Sequence, residues 1–219
     1  MIKAILFDLD GVLVDSEAYE QRLNVAFLKE HGFKSDVSAF TSIIGLGAGV
    51  DWRAVLKSHL DPEDDQDYLV DCWVKMVERK RGNYSFGEIM YPEVPEALAR
   101  LKREGYQLAV CSSSEQSYVD AAVSQCGIGP YLDLAVSGYQ FQRCKPFPDV
   151  YLYARDRFGL TSEECLVVED SANGILAGKN AGMPVAARRD LVLGLDQSQA
   201  DYLIDDLKQL EEVIAQIAR

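Results

Sequence analysis

The sequence is poor in histidine, poor in basic charge and without any long apolar run. Among its 219 residues, His31 and His59 are the only histidines. That is too few for a histidine-built zinc site or for ready serine–histidine chemistry, and both are expected on surfaces. The five cysteines (Cys72, Cys111, Cys126, Cys144 and Cys165) are odd in number, scattered and without a CxxC spacing. A disulfide framework is thereby excluded, and reduced core thiols in a cytosolic compartment are expected. No window supplies the roughly 18 apolar residues of a membrane span. The first apolar run is short and holds Asp8 and Asp10, so no secretory leader is visible and a cytoplasmic location is expected. Lys and Arg total 22 against 35 Asp and Glu, a net charge of −13. Long-range repulsion of that sign argues against nucleic-acid or anionic-membrane partners. An anionic small molecule remains open if a cation or a local basic cluster offsets the field. Neither an internal repeat nor a low-complexity tract is present.

What is present is a hydrophobic content of 48% in a chain long enough for one substantial domain and a smaller one. Short apolar runs alternate with helical patterns. KAILF (3–7), QLAVC (107–111), LAVSG (134–138), CLVVE (165–169), PVAAR (184–188) and YLID (202–205) read as buried strands. Between them, PEALARLKREG (95–105) carries Ala97, Leu98 and Leu101 at helical spacing, and DVYLYARDRFG (149–159) carries Val150, Ala154 and Phe158 four apart. Strands alternating with helices predict an α/β, doubly wound, Rossmann-like parallel sheet, with ligands beyond the carboxyl ends of its strands. Residues 16–90 break this rhythm. SEAYEQRLNVAFLKEHGF and DYLVDCWVKMVERKRGNY are helical in pattern, and no convincing strand lies between them. The expected organisation is a core of residues 1–15 and 91–219 with an inserted all-helical domain, 16–90, hinged at Asp15–Ser16 and Met90–Tyr91–Pro92.

The chemistry gathers at strand ends. In ILFDLDGVLVDSE (5–17), Asp8 and Asp10 stand where a buried run stops, and Gly11 allows a sharp turn. Strand alternation points both carboxylates the same way. Two unit charges about 4 Å apart repel by about 4 kcal/mol at an effective dielectric near 20. The pair therefore needs either a retained proton or a cation between its members. LVVEDSANG (166–174) ends a second strand with Glu169 and Asp170, and hard oxygen ligands of this kind suit magnesium. QLAVCSSS ends a third in Ser112, Ser113 and Ser114, a source of hydroxyl and amide donors for a phosphate. In RCKPFPD (143–149), Lys145 is held beside Pro146 and can neutralise charge on a transferring phosphoryl group. After Asp170, the small residues Gly174, Ala177, Gly178 and Ala181 form a stripe that would let a helix lie close on the sheet.

DLDGV, the serine after QLAVC, KPxPD and the VVED strand end stand in the order of the haloacid dehalogenase superfamily, and the resemblance covers essentially the whole chain. With its helical insert after the first motif, the chain is similar to the helical-cap subgroup of β-phosphoglucomutase and many sugar-phosphate phosphatases. The resemblance implies Asp8 as nucleophile and Asp10 as general acid and base. It implies Ser112, Ser113 and Lys145 as holders of the phosphoryl oxygens. It further implies Mg²⁺ held by Asp8, the backbone carbonyl of Asp10 and Asp170, with Glu169 beside it as a ligand or as support behind one. Lys80, in the basic run ERKRGNY (78–84), falls where the mutase family has a cap lysine. Two departures set the chain apart from the mutases. Glu20 stands where they have a histidine, and IIGLGAGVDWR (43–53) has glycines where they have an arginine, with Arg53 several residues late. A magnesium-dependent phosphatase acting on a small phosphorylated metabolite, a sugar phosphate or similar, is the expectation, with a β-phosphoglucomutase-type isomerase as the alternative. A phospho-acceptor module resembling a response-regulator receiver has no place for the helical insert. A monomer or weak homodimer is the expected state.

Overall fold

A computed structural model describes residues 1–44, 51–80, 85–191 and 193–218, apart from the side chains of residues 17 and 78–80. The chain enters the sheet at β1 (Ala4–Phe7) and leaves it for four helices: α1 (Ser16–His31), α2 (Trp52–His59), α3 (Gln66–Lys80) and α4 (Phe86–Ile89). It then alternates through α5 (Val94–Arg103), β2 (Gln107–Ser112), α6 (Gln116–Gln125), β3 (Leu134–Ser137), α7 (Asp149–Phe158), β4 (Cys165–Glu169), α8 (Ala172–Asn180), β5 (Val185–Arg188), β6 (Tyr202–Ile204) and α9 (Leu210–Ile217). All six apolar runs read as strands are strands, each within a residue or so of the expected limits. They form one parallel sheet in the order β3-β2-β1-β4-β5-β6.

Residue alternation explains how both faces are covered. Ile5 and Phe7 of β1, with Leu166 and Val168 of β4, pack into one apolar cluster against α5, α6 and α9. Ala4 and Leu6, with Cys165 and Val167, pack into a second cluster with α7 and α8. Each is fully buried. Complete burial of a Val, Leu, Ile or Phe side chain contributes about 1.5–3 kcal/mol, so a continuous apolar run on a strand is consistent only with a sheet covered on both sides. The small-residue stripe acts as its spacing suggests. A Cβ on Gly178 would stand 2.7 Å from Val185 Cγ2, which is how closely α8 approaches the sheet.

The helices between β1 and β2 hold a third apolar cluster of their own, built on Phe27, Leu28, Phe40, Leu56, Leu69 and Val70. The two chain segments that lead into and out of this region are tied to each other. Val14 and Met90 form an antiparallel bridge, the Asp15 N–H donates to the Ile89 carbonyl at 2.7 Å, and the Tyr91 N–H donates to the Leu13 carbonyl at 3.1 Å. Arg188, at the end of β5, lies over the Tyr91 ring at 3.4 Å and donates to Glu93 at 2.6 Å. His31 and His59 are exposed, and the five cysteines are free thiols, four of them buried. Among the described residues, no helix is long and apolar enough to cross a membrane.

Candidate active site

The carboxyl ends of β1, β2 and β4 converge on one cavity of about 590 Å³. Its geometry begins with register. Ala4 pairs with Cys165 and Leu6 with Val167, so the next residues on that face are Asp8 and Glu169. The ladder continues one step past β1, the Asp8 N–H donating to the Val168 carbonyl at 2.8 Å. Neighbouring strands thus deliver two carboxylates side by side, Asp8 buried and Glu169 fully so.

Lys145 answers that charge. Its Nζ donates to Asp8 Oδ1 at 2.6 Å and to Glu169 Oε1 at 2.5 Å, with the ammonium buried and 4.9 Å from the centre of the Tyr151 ring. The Tyr151 hydroxyl donates to Glu169 Oε1 at 2.7 Å. Glu169 Oε2 accepts from the Asp170 N–H at 3.0 Å, the Ser171 N–H at 3.3 Å and the Ser171 hydroxyl at 3.2 Å. Two carboxylates share one ammonium, and the better hydrogen-bonded one keeps the charge. Burial alone would raise Glu169. The charge of Lys145, with hydrogen bonds from Lys145, Tyr151 and the Asp170 amide, instead holds it below the usual carboxylate range. Burial pushes Asp8 up to about 8, with the charges of Glu169 and Asp10 adding to the rise and Lys145 opposing it. Burial would lower Lys145, but the two carboxylates outweigh it and keep the ammonium protonated.

Gly11 makes room for the third acid. Its φ is +71°, a left-handed value that favours glycine, and a Cβ there would lie 2.1 Å from Asp170 Oδ2. Asp8, Glu169 and Asp170 offer carboxylate oxygens all within 4.8 Å of one another. Four acids (Asp8, Asp10, Glu169 and Asp170) meet one lysine here, leaving negative charge and hard oxygen donors. That donor set fits a magnesium ion. Of the three clustered acids, Glu169 is engaged by Lys145, Tyr151 and the Asp170–Ser171 turn, and Asp8 and Asp170 are the two that line the cavity.

Asp10 is held differently. The Ser16 hydroxyl donates to its Oδ1 at 2.6 Å, the Tyr118 hydroxyl to Oδ1 at 2.8 Å and the Ser114 hydroxyl to Oδ2 at 3.2 Å. Asp8, Asp10, Ser113, Lys145 and Asp170 line the cavity. Ser112 lies beneath the wall, its Oγ accepting from the Ser114 N–H at 3.0 Å. Arg53 lies elsewhere, paired with Asp71 and over the Trp52 ring. The side chains of residues 78–80, Lys80 among them, are outside the described residues, as are residues 45–50 of the IIGLGAGVDWR stretch and residues 81–84 of the basic run. Sequence reasoning missed Ser16, Tyr118 and Tyr151. Ser16 stood at the expected hinge and Tyr151 in the α7 pattern, but spacing alone does not say what a hydroxyl reaches.

A family model described as haloacid dehalogenase-like hydrolase matches residues 2–182. A phosphoglycolate phosphatase of Aquifex aeolicus is 32% identical over 194 residues, covering 84% of each chain. Among solved structures, a haloacid dehalogenase-like protein of Agrobacterium tumefaciens superposes with a TM-score of 0.77 at 26% identity over the full length of both chains. The protein CbbY of Rhodobacter sphaeroides, crystallised with xylulose-(1,5)bisphosphate, gives a TM-score of 0.72 at 26% identity over 96% of each chain.

Proposed function

This chain belongs to the haloacid dehalogenase-like hydrolases and is an enzyme of that family, and from that premise we propose that it is a magnesium-dependent phosphatase of a small phosphorylated metabolite. The observation that carries the reading is the meeting of Asp8, Lys145 and Asp170 in one cavity, with Asp10 beside them.

Asp8 attacks phosphorus, the ester oxygen leaves, and an aspartyl-phosphate forms. Asp10 gives its proton to the departing alcohol. It then takes one from the water that attacks the phosphorus and returns Asp8 as a carboxylate. Lys145, fixed between Asp8 and Glu169, presents its ammonium to the phosphoryl oxygens, and Ser113 offers donors from the end of β2. Glu169 is read as the support that aims Lys145. Asp8 and Asp170, with the backbone carbonyl of Asp10, would hold a magnesium ion whose charge keeps Asp8 ionised and offsets the phosphate dianion. The helical segment 16–90 would close over the phosphate as a cap, exclude water and select the leaving group, with Lys80 a candidate contact.

The relatives support phosphate-ester chemistry, since one is named a phosphoglycolate phosphatase and another was crystallised with a sugar bisphosphate. Phosphate release should be screened over a metabolite panel, sugar phosphates included, with and without Mg²⁺. Asp8→Asn is expected to lower kcat by about a thousandfold or more, and Asp10→Asn by about 10²–10⁴. Turnover that survives Asp8→Asn removes the covalent step. Interconversion of β-glucose phosphates without net phosphate release would favour the mutase alternative.

A further inference from the structure

Asp10 receives hydroxyl donors from Ser16, Tyr118 and Ser114, and they are divided unequally between its two oxygens. Oδ1 accepts from Ser16 at 2.6 Å and from Tyr118 at 2.8 Å, both inside the ordinary O–H···O range of about 2.5–3.0 Å. Oδ2 accepts from Ser114 at 3.2 Å, beyond that range. A carboxyl oxygen offers about two lone-pair sites. Those of Oδ1 are both taken, so a proton carried by Asp10 has its place on Oδ2.

Tyr118 reaches Oδ1 from α6, 108 residues away in sequence. Its ring packs edge to face on Phe86 of α4, with centroids 4.8 Å apart. Phe86 is itself buried, and its N–H donates to Oε1 of Gln125, the last residue of α6, at 2.9 Å. Helix packing thus aims the phenol before any substrate arrives. Ser16 is the first residue of α1, so two separate elements hold the one oxygen. Holding Oδ1 sets the direction in which Oδ2 points. A misplacement of about 1 Å can cost about a hundredfold in rate.

We propose that Tyr118 is a positioning residue for the acid–base step: with Ser16 it closes Oδ1 of Asp10, so that the proton is delivered and recovered at Oδ2. This rests on the phosphatase reading and deepens it. In the first half-reaction the Oδ2–H bond breaks as the ester P–O bond breaks, and the proton goes to the departing alkoxide oxygen. In the second, water gives a proton to Oδ2 while its oxygen bonds phosphorus and the bond from Asp8 to phosphorus breaks. The Ser114 hydroxyl, held at the longer distance, can rotate to accept from Oδ2–H. Tyr118 keeps its own proton throughout.

Tyr118→Phe tests this, because it keeps the ring on Phe86 and removes the hydroxyl. The ratio kcat/KM covers the steps up to departure of the leaving group, and so isolates the first proton transfer. An alkoxide needs that proton, whereas 4-nitrophenolate and acetate leave without one. With Mg²⁺ present, kcat/KM is measured on 4-nitrophenyl phosphate, on acetyl phosphate and on the alkyl phosphate of the metabolite panel that the wild-type protein turns over fastest. Tyr118→Phe is expected to lower the alkyl value at least about tenfold more than the other two, a part of the 10²–10⁴ that general acid catalysis typically supplies. Ser16→Ala opens the other lone pair of Oδ1 and is expected to give the same pattern. It carries the test should Tyr118→Phe fail to fold. A loss of equal size on all three esters, or none on any, overturns this assignment alone. Wild-type protein that releases phosphate from none of the esters overturns the phosphatase reading with it.

Discussion

Gly174 faces the carboxylate of Glu169 so closely that a Cβ at position 174 would stand 1.8 Å from Oε1. The first turn of α8 is therefore shaped around the acid that holds Lys145. The same helix accepts Gly178 against Val185 and Val167 for packing, but at Gly174 the neighbour is a functional side chain.

Gly174→Ala separates these two roles by its sign. In an exposed helix interior the change would stabilise by about 1 kcal/mol through propensity. Here Glu169 must move, and a loss of about 1–3 kcal/mol is expected from overpacking. Displacing Glu169 also unseats Lys145, so phosphate-release activity should fall by about tenfold or more. Thermal unfolding and kcat measured on one preparation check both; a rise in Tm with normal kcat would refute the packing account.

Tyr151→Phe keeps the buried ring and removes one hydroxyl from Glu169 Oε1, which retains Lys145 as a partner. Loss of one hydrogen bond to a buried charged group is expected to cost about 1–3 kcal/mol of stability. Because Tyr151 contacts Glu169 and Lys145 from behind and does not line the cavity, kcat should drop while KM changes little. Urea unfolding and steady-state kinetics report the two effects. A raised KM at constant kcat would place Tyr151 in substrate binding instead.

Arg188→Met preserves the aliphatic stem but removes the guanidinium from Glu93 and from the Tyr91 ring. Both partners of the ion pair are largely buried, at 10% and 9% side-chain exposure, so Glu93 would be left as an uncompensated charge. A loss of about 3 kcal/mol follows from breaking such a pair. The double variant Arg188→Met with Glu93→Gln should recover part of that loss. Equal stability of single and double variants in urea would show that the pair contributes nothing.

Asp64 gives a pH prediction away from the active site. Its carboxylate accepts from the N–H groups of Lys34 and Ser35 at 2.9 and 2.8 Å and from the Ser35 hydroxyl at 2.6 Å. Slight burial would raise it, but these hydrogen bonds outweigh that and hold it below its ordinary value of 3.8. A carboxylate lowered on folding contributes stability above its unfolded pKa, and that contribution is lost as pH falls through the folded value. Asp64→Asn should therefore lower Tm at pH 7, and the gap from wild type should close as the pH drops below about 4. Paired melting curves across this range check it. A gap that stays constant with pH would assign the effect to shape rather than charge.

Much of this protein was legible in the linear chain. Apolar runs with no polar interruption marked the strands, because only a sheet buried on both faces tolerates them. Asp8, Asp10, Lys145 and Asp170 were legible because each stands at the end of such a run or beside prolines that fix its loop. Ser112 and Ser113 were both named from the sequence; Ser113 lines the cavity, whereas Ser112 ends β2 opposite Ser137 of β3. The boundary between strand and loop decides which of three successive serines faces out, and that boundary is set by pairing with β3.

By itself, then, the sequence determined a parallel α/β sheet, a helical stretch between its first two strands, and the acids and lysine at one rim. The tertiary structure alone decided what those groups touch. Glu169 holds Lys145 from 24 residues away, Asp8 meets the same lysine across 137, and Tyr118 reaches Asp10 across 108. The cavity is likewise lined by residues from separate elements, among them Tyr19, Trp73, Tyr118 and Lys145. The physical reason is that periodicity encodes which face of an element is buried, whereas the partner on that face is chosen by sheet register and helix packing, which no local window contains.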